Sequence, residues 1–209
     1  MSTMPAKPRI MDLNRFTMFA DVPGVENQKA KLSWGIRDGS ARVTVFVFNT
    51  AAKRNEVISA PLGTETFLVF CDMFEKIIDA SPGSKSKIDC YMGIRDAGGK
   101  LTGEKKLIGE FWFGVDNEGL IWVSLVDADK PRIKFTFKMW DYHKILKTDG
   151  TPLTDVEASK AVARTTIRAL REVYVPAMAQ FIEYVGKTSN NNSSNVTKAE
   201  ELTLEDINF

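Results

Sequence analysis

The chain has 209 residues, 44% of them hydrophobic and 26% charged. A chain of this length and composition can bury a hydrophobic core without stabilisation by disulfides or metal ions. Its formal net charge of +1 excludes a strongly polyanionic or polycationic protein. The N-terminus has no apolar signal-peptide region, and no apolar run approaches membrane-spanning length, so we expect no membrane association and a cytoplasmic location, the host cytoplasm for a viral protein.

The first half of the chain predicts strands followed by a helix. Residues 1–12 lack a regular apolar pattern and are predicted to be a flexible N-terminus. Alternation and turn signals then predict four strands, at residues 13–21, 29–37, 41–50 and 56–60. Residues 64–80 change to helical spacing, with Phe67, Phe70, Cys71 and Phe74 on one face, and the helix is expected to end at the Ser-Pro-Gly stretch that follows.

The second half predicts the same order again. Strands are expected at residues 86–95, 105–115, 120–126 and 132–140, separated by turn signals rich in glycine and aspartate. Thr154 and Glu157 have the spacing of a capping box, which predicts a helix from there to about residue 185. Pro176 lies inside this helix and predicts a kink or a break into two helices.

A short internal repeat supports a duplicated layout. The sequence GIRD occurs at residues 35–38 and 93–96, each time at the end of a predicted strand that begins near a lysine. We therefore predict one domain of two halves, 13–84 and 85–186, followed by a linker and tail at 187–209. The predicted fold class is α+β, with two antiparallel sheets of about four strands, each followed by a helix. The alternative is an elaborated OB-fold barrel.

The two cysteines, Cys71 and Cys90, each lie in an apolar stretch, which predicts buried free thiols in a reducing compartment. Few groups suit catalysis. His143 is the only histidine, which excludes histidine-based metal clusters and Ser-His-Asp triads. No Walker-type glycine loop is present, and Asp127 and Asp129 are interpreted as a polar loop. We predict a protein that is not an enzyme and has no cofactor or metal.

Cations and aromatic rings, by contrast, alternate along several predicted strands. In residues 132–140, Ile133, Phe135 and Phe137 point to one face and the basic residues to the other. Single-stranded nucleic acid is bound by cations that contact phosphates and by rings that stack on bases. The predicted nucleic-acid contacts are Arg37, Arg42, Phe46, Phe48, Lys53, Arg54, Lys87, Tyr91, Arg95, Arg132, Lys134, Lys138 and Trp140. For each of the other tryptophans, Trp34, Trp112 and Trp122, a place in the core or a subunit interface is favoured over base stacking.

The charge is unevenly distributed along the chain. Residues 188–209 contain four acidic residues and one basic residue, so their net charge is about −3. The net charge of residues 1–187 is about +4. A basic body with an acidic tail indicates a nucleic-acid partner. The chain ends in Asp206-Ile207-Asn208-Phe209, which resembles the acidic tails of bacterial and phage single-stranded-DNA-binding proteins. Those tails often end in Asp-Ile-Pro-Phe, so Asn208 departs from the pattern.

The tail resemblance implies a tethered peptide that binds replication or transcription proteins. Its predicted contacts are Glu205, Asp206, Ile207 and Phe209. The body is similar, in element order only, to the whirly family of single-stranded-DNA-binding proteins, whose two sheets are held by helices and whose protomers form tetramers. The Lys-Gly-Lys-Ala-Ala-Leu motif of the plant members is absent, so no residue role is transferred from that family.

Together these resemblances imply a non-catalytic protein, of bacteriophage origin, that coats single-stranded DNA, or RNA, during replication or transcription. They also imply a homo-oligomer, either a dimer or a tetramer. The alternative is a protein–protein adaptor, such as a polymerase-recruiting factor, that does not contact nucleic acid directly.

Overall fold

The computed structural model describes residues 16–37, 40–49, 53–127, 132–139 and 143–189. Within these residues the chain forms strands and helices in the order predicted from the sequence. The elements are β1 (Met18–Asp21), β2 (Lys29–Arg37), β3 (Ser40–Asn49), β4 (Arg54–Leu62), α1 (Thr64–Ile78), β5 (Lys85–Arg95), β6 (Leu101–Val115), β7 (Ile121–Val126), β8 (Phe135–Thr136) and α2 (Asp155–Ser189).

The strands form two antiparallel sheets, and each sheet follows chain order. Sheet A is β1-β2-β3-β4, and sheet B is β5-β6-β7-β8. Each sheet is followed in the chain by one helix. The predicted α+β class with two four-stranded antiparallel sheets is therefore confirmed. The OB-fold alternative is wrong, because an OB-fold needs one five-stranded barrel, whereas the described strands form two separate four-stranded sheets.

Alternating residues give each sheet an apolar inner face. In β3, Val43 and Val45 are buried, whereas the neighbouring Arg42 and Phe46 lie on the other face and are only half-buried. The same period of two places Phe111 and Phe113 of β6 in the core. We call the opposite sides of the two sheets their outer faces.

Helix α1 joins the two inner faces. Its helical spacing buries Phe67, Phe70, Cys71, Phe74, Ile77 and Ile78. Phe70 is fully buried, and its ring centroid lies 5.6 Å from that of Trp34 in sheet A and 5.2 Å from those of both Phe111 and Phe113 in sheet B. One aromatic side chain therefore contacts both sheets, and Trp34 belongs to the core.

Helix α2 begins at the predicted capping box. The Glu157 N–H donates to Thr154 Oγ1 at 3.3 Å, and the Thr154 N–H donates to Glu157 Oε2 at 2.8 Å. Lys147 pairs with the same carboxylate at 2.7 Å, and this bond, with those from Thr154, lowers the pKa of Glu157 to about 2. One turn further on, the buried Ser159 hydroxyl accepts the Ile121 N–H at 2.9 Å, which fixes α2 against β7.

Several element boundaries differ from the prediction. The first strand covers only Met18–Asp21, because Phe16 is in a short 3₁₀ turn, and residues 13–15 lie outside the described part. Conversely, β4 extends beyond the predicted 56–60, because Arg54–Leu62 pairs with β3 along its whole length. Strand β6 likewise starts at Leu101 instead of residue 105.

The prediction of a strand over residues 132–140 is mostly wrong, because the strand covers only Phe135–Thr136. Only these two residues pair, with Trp122 and Val123 of β7, and β8 is the edge strand of sheet B. The predicted alternation of faces is nevertheless correct where the chain is described. Ile133, Phe135 and Phe137 are buried, and the basic residues between them are exposed.

Helix α2 continues through Pro176 to Ser189, so the predicted end near residue 185 is wrong and, of the predicted kink or break at Pro176, the break does not occur. Residues 187–189, assigned to the linker from the sequence, are helical. The rest of the predicted linker and tail, and the predicted N-terminus 1–12, lie outside the described residues. Among the helices that are described, none combines the length and apolarity needed to cross a membrane.

The GIRD repeat does not occupy equivalent places in the two halves. The first copy ends β2, the second strand of sheet A, whereas the second copy ends β5, the first strand of sheet B. The order of four strands and a helix does repeat. The repeated motif is therefore not a marker of aligned positions.

The two cysteines are buried free thiols, as predicted. Burial raises the pKa of both Cys71 and Cys90 to about 11. Both side chains therefore remain neutral thiols at physiological pH and act as small apolar core residues.

Candidate nucleic-acid interface

The outer face of sheet B carries two tryptophans. Because Phe111 and Phe113 point into the core, Trp112 between them points outward. Strand register places Trp112 between Lys87 of β5 and Ser124 of β7. Trp122 lies on the same face of β7, opposite Gly114 and Thr136.

Three cations surround the half-buried indole of Trp112. The distances to its ring centroid are 5.6 Å for Lys85 Nζ, 5.5 Å for Lys87 Nζ and 4.5 Å for Arg132 Cζ. Such contacts are favourable because the ring face is electron-rich. We call these four residues, Lys85, Lys87, Trp112 and Arg132, the Trp112 cluster. It joins β5, β6 and the segment that precedes β8 into one basic surface.

Two carboxylates neutralise part of this surface. Glu110 accepts the indole N–H of Trp112 at 2.8 Å and pairs with Lys87 at 2.6 Å, and Lys87 also pairs with Asp89 at 2.9 Å. The Lys87 bond lowers the pKa of Glu110, and the same bond raises the pKa of Lys87, so both remain charged. Lys85 and Arg132 form no ion pair within the described part of the chain, which leaves these two cations for an external anion.

Lys134 extends the basic surface to the second tryptophan. Its Nζ lies 5.8 Å from the Trp122 ring centroid and 2.6 Å from Asp116 Oδ2. Asp116 also accepts the backbone N–H groups of Leu120 and Glu118. Burial opposes ionisation of Asp116, but the bonds from Lys134 and the backbone outweigh it, and the pKa of Asp116 is lowered. The turn between β6 and β7 therefore holds Lys134 in place.

The two outer faces meet where β1 contacts β8. A groove of about 290 Å³ lies at this junction, and side chains from both sheets line it. We call it the junction groove; its lining residues are Phe19, Ala20, Asp21, Lys29, Lys134, Thr136 and Lys138. Three of these are lysines, and the Phe19 ring is 63% exposed. The groove thus combines the cations and the accessible ring that single-stranded nucleic acid requires.

On sheet A, the outer face continues from the groove as a row of three apolar residues and one lysine. Register places Phe19, Lys31, Phe46 and Val57 side by side across the four strands. Phe48 lies next to this row and is 48% exposed. Arg42 lies further along the same face, where its Nη1 donates to Ser59 Oγ at 3.2 Å.

The structure brings together part of the residue set predicted from the sequence. Lys87 and Arg132 contact one tryptophan, and Lys134 and Lys138 line one groove. Arg42, Phe46 and Phe48 share the outer face of sheet A.

The remaining predicted residues are separate from this surface or outside the described residues. Lys53 is exposed in the turn before β4. Tyr91 and Arg95 lie at the far end of β5, where Arg95 Nη1 donates to the Gly99 carbonyl at 2.7 Å. The side chains of Arg37 and Arg54, all of Trp140, and the tail residues Glu205, Asp206, Ile207 and Phe209 are outside the described part.

The predicted site left out Trp112 and Trp122, for which the sequence favoured the core or a subunit interface over base stacking. Trp122 is buried, but both rings lie on the outer face under cations. The strict alternation of residues 110–115 could have shown this for Trp112, because its two phenylalanine neighbours are core residues. Lys29 and Phe19 were also missed, since only the meeting of two sheets brings them to the groove.

The described residues contain no group of three or more histidine, cysteine, aspartate or glutamate side chains that could hold a metal ion. Comparisons with protein-family models, curated proteins and solved structures found no match for this chain.

Proposed function

We propose that this protein binds single-stranded DNA and does not catalyse a reaction. The Trp112 cluster supports this proposal most directly, because two of its cations have no carboxylate partner in the described structure and lie against the half-buried indole ring. Phosphates would contact Lys85 and Arg132, and a base would stack on or beside the indole. Both interactions are independent of sequence, as coating a strand requires.

A bound strand would continue from the Trp112 cluster into the junction groove. There Lys29 and Lys138 are positioned for further phosphates, and the exposed ring of Phe19 is accessible to a base. Each stacked base contributes about 1–3 kcal/mol, so two or three rings suffice for useful affinity. The outer face of sheet A, with Phe48 exposed, would extend this path. A duplex hides its base faces, so a single strand is preferred, and RNA can use the same contacts.

The biological setting belongs to the same proposal. The protein would coat DNA during bacteriophage replication or transcription, in the host cytoplasm, as a dimer or tetramer. Its acidic C-terminal peptide, with Phe209 as the anchor, would bind a replication or transcription protein. An acidic peptide of this kind suits electrostatic recognition by a basic pocket on the partner protein.

Intrinsic fluorescence tests the proposed site. Titration of the protein with poly(dT) should quench tryptophan emission, because bases stack near Trp112. The Trp112→Phe variant should lose a large part of this quench, since the remaining described tryptophans, Trp34 and Trp122, are buried. A Trp34→Phe variant is the matched control and should keep it. If both variants bound poly(dT) with equal quenching, the binding site would not be at Trp112. If the protein did not bind poly(dT) at low salt, the protein–protein adaptor would be favoured.

A further inference from the structure

Strands β5 and β6 continue beyond the rest of sheet B as a two-stranded arm. We define the arm as residues 91–107, every one of which is exposed. Its large apolar side chains are between 38% and 57% exposed: Tyr91, Met92, Ile94, Leu101 and Leu107. An isolated two-stranded hairpin is marginally stable in water, and this one also exposes apolar groups on both faces. The arm therefore has the features of an interaction surface without its partner.

Both strands of the arm have a free edge, because β7 pairs with β6 only from Glu110 onward, and the regular edge is that of β5. This strand is the first in the sheet order, so one side of its backbone has no neighbouring strand in the described structure. Unpaired edge N–H and C=O groups are a template for another strand. The pairing of β5 with β6 is irregular at two places, and in both the extra residues belong to β6: one near Ile108 and the others between Leu101 and Lys105. Strand β5 therefore keeps its regular alternation of side chains between the two faces.

We propose that β5 pairs with β5 of a second copy, antiparallel, about a two-fold axis perpendicular to the sheet at Met92. In this arrangement Met92 meets the same residue of the other copy. Asp89 then lies opposite Arg95, and Tyr91 lies opposite Gly93, all on the outer face. The register places opposite charges together and covers a glycine with an aromatic ring, both of which stabilise cross-strand pairs.

Neighbouring two-fold registers are less complementary. An axis at Tyr91 would place Lys87 opposite Arg95, two like charges, which is destabilising. An axis at Gly93 would place Tyr91 opposite Arg95 and leave Asp89 opposite an alanine in the turn. Charge along β5 therefore selects the axis at Met92.

Pairing of the two β5 edges would bring the apolar side chains of Tyr91, Met92 and Ile94 of both copies next to one another. Isologous pairing is also the commonest way in which identical chains associate.

Pairing of this kind has a consequence for DNA binding that rests on the function proposed above. An axis perpendicular to the sheet keeps the outer faces of both copies on the same side. The two Trp112 clusters would then lie on one continuous eight-stranded surface, and one DNA strand could contact both. The pairing itself does not depend on DNA.

Sedimentation equilibrium of the full chain without DNA tests the pairing. The wild type should dimerise, and Met92→Lys should raise the dissociation constant at least about tenfold, since it brings two ammonium groups together at the axis. Leu101→Lys is the matched control: Met92 and Leu101 are both 57% exposed on the arm, but Leu101 is on β6, on the opposite side of the arm from the β5 edge. It should dimerise like the wild type.

A charge swap tests the register. Asp89→Arg should weaken dimerisation, and the double variant Asp89→Arg with Arg95→Asp should restore it. Met92→Cys should form a disulfide-linked dimer on oxidation, because directly opposed Cα atoms are about 4.5–5.5 Å apart, and Leu101→Cys should not. A wild type that stays monomeric up to about 100 μM, equal effects of the two lysine variants, or no restoration by the double variant would overturn the proposal.

Discussion

Replacing Lys85 and Arg132 together by glutamine is expected to weaken binding of single-stranded DNA by at least about tenfold at low salt. These two cations lie against the Trp112 ring and form no ion pair in the described part of the chain. Removing each phosphate-binding cation should also lower the magnitude of the salt slope, the change in log affinity with log salt concentration, by roughly 0.7. Anisotropy of a labelled oligo(dT) at several salt concentrations measures both quantities.

The matched control removes the same charge from another surface. Lys76 and Arg168 line a charged groove between the two helices, away from the outer faces of the sheets. The variant Lys76→Gln with Arg168→Gln has the same net charge as the first double variant and should keep nearly wild-type affinity and slope. If both pairs lowered affinity equally, binding would depend on net charge alone and the proposed interface would be wrong.

Truncation of Phe70 to alanine is expected to cost about 3–5 kcal/mol of folding free energy. The Phe70 side chain is fully buried, and its ring contacts aromatic rings of sheet A, sheet B and its own helix: Trp34, Phe67, Phe74, Phe111 and Phe113. The cavity would therefore lie where both sheets and α1 meet, and no single neighbour can fill it.

Urea denaturation followed by far-UV circular dichroism measures this cost. Phe48→Ala is the control, because the Phe48 ring is 48% exposed on the outer face of sheet A. It should change the free energy of unfolding by less than about 1 kcal/mol. A small effect of the Phe70 change would show that the two sheets do not share the aromatic core described above.

The fold class followed from local periodicity because each element has one buried face. Period-two alternation identified β2 and β3 almost to the residue, and helical spacing identified α1. The same rule correctly separated buried from exposed residues in 132–139, although only two of them pair in the sheet. Alternation reports which face is buried, whereas strand pairing depends on backbone hydrogen bonds to a neighbouring strand.

The site could be predicted only in part, because it is built from two sheets. The cations of 132–138 were found from alternation, but no local pattern shows that β1 lies against β8 or that Lys29 shares a groove with Lys138. Trp112 was left out of the predicted site because an aromatic residue between two phenylalanines resembles core by composition. Its register next to Lys87 is a property of strand pairing.

The continuous helix through Pro176 has a similar explanation. The missing N–H of proline favours a break in an isolated helix, but tertiary packing can outweigh the absence of one hydrogen bond. Tyr174 and Met178, on either side of the proline, are both buried. Their burial is visible only when the helix is placed against the sheets.

Binding of a labelled oligo(dT) at low salt, followed by anisotropy and compared with a duplex of the same length, tests the central claim most directly. We predict saturable binding of the single strand, weaker binding of the duplex, and affinity that decreases linearly in log salt. Absence of binding to the single strand, or tighter binding to the duplex, would contradict a surface built for single-stranded DNA.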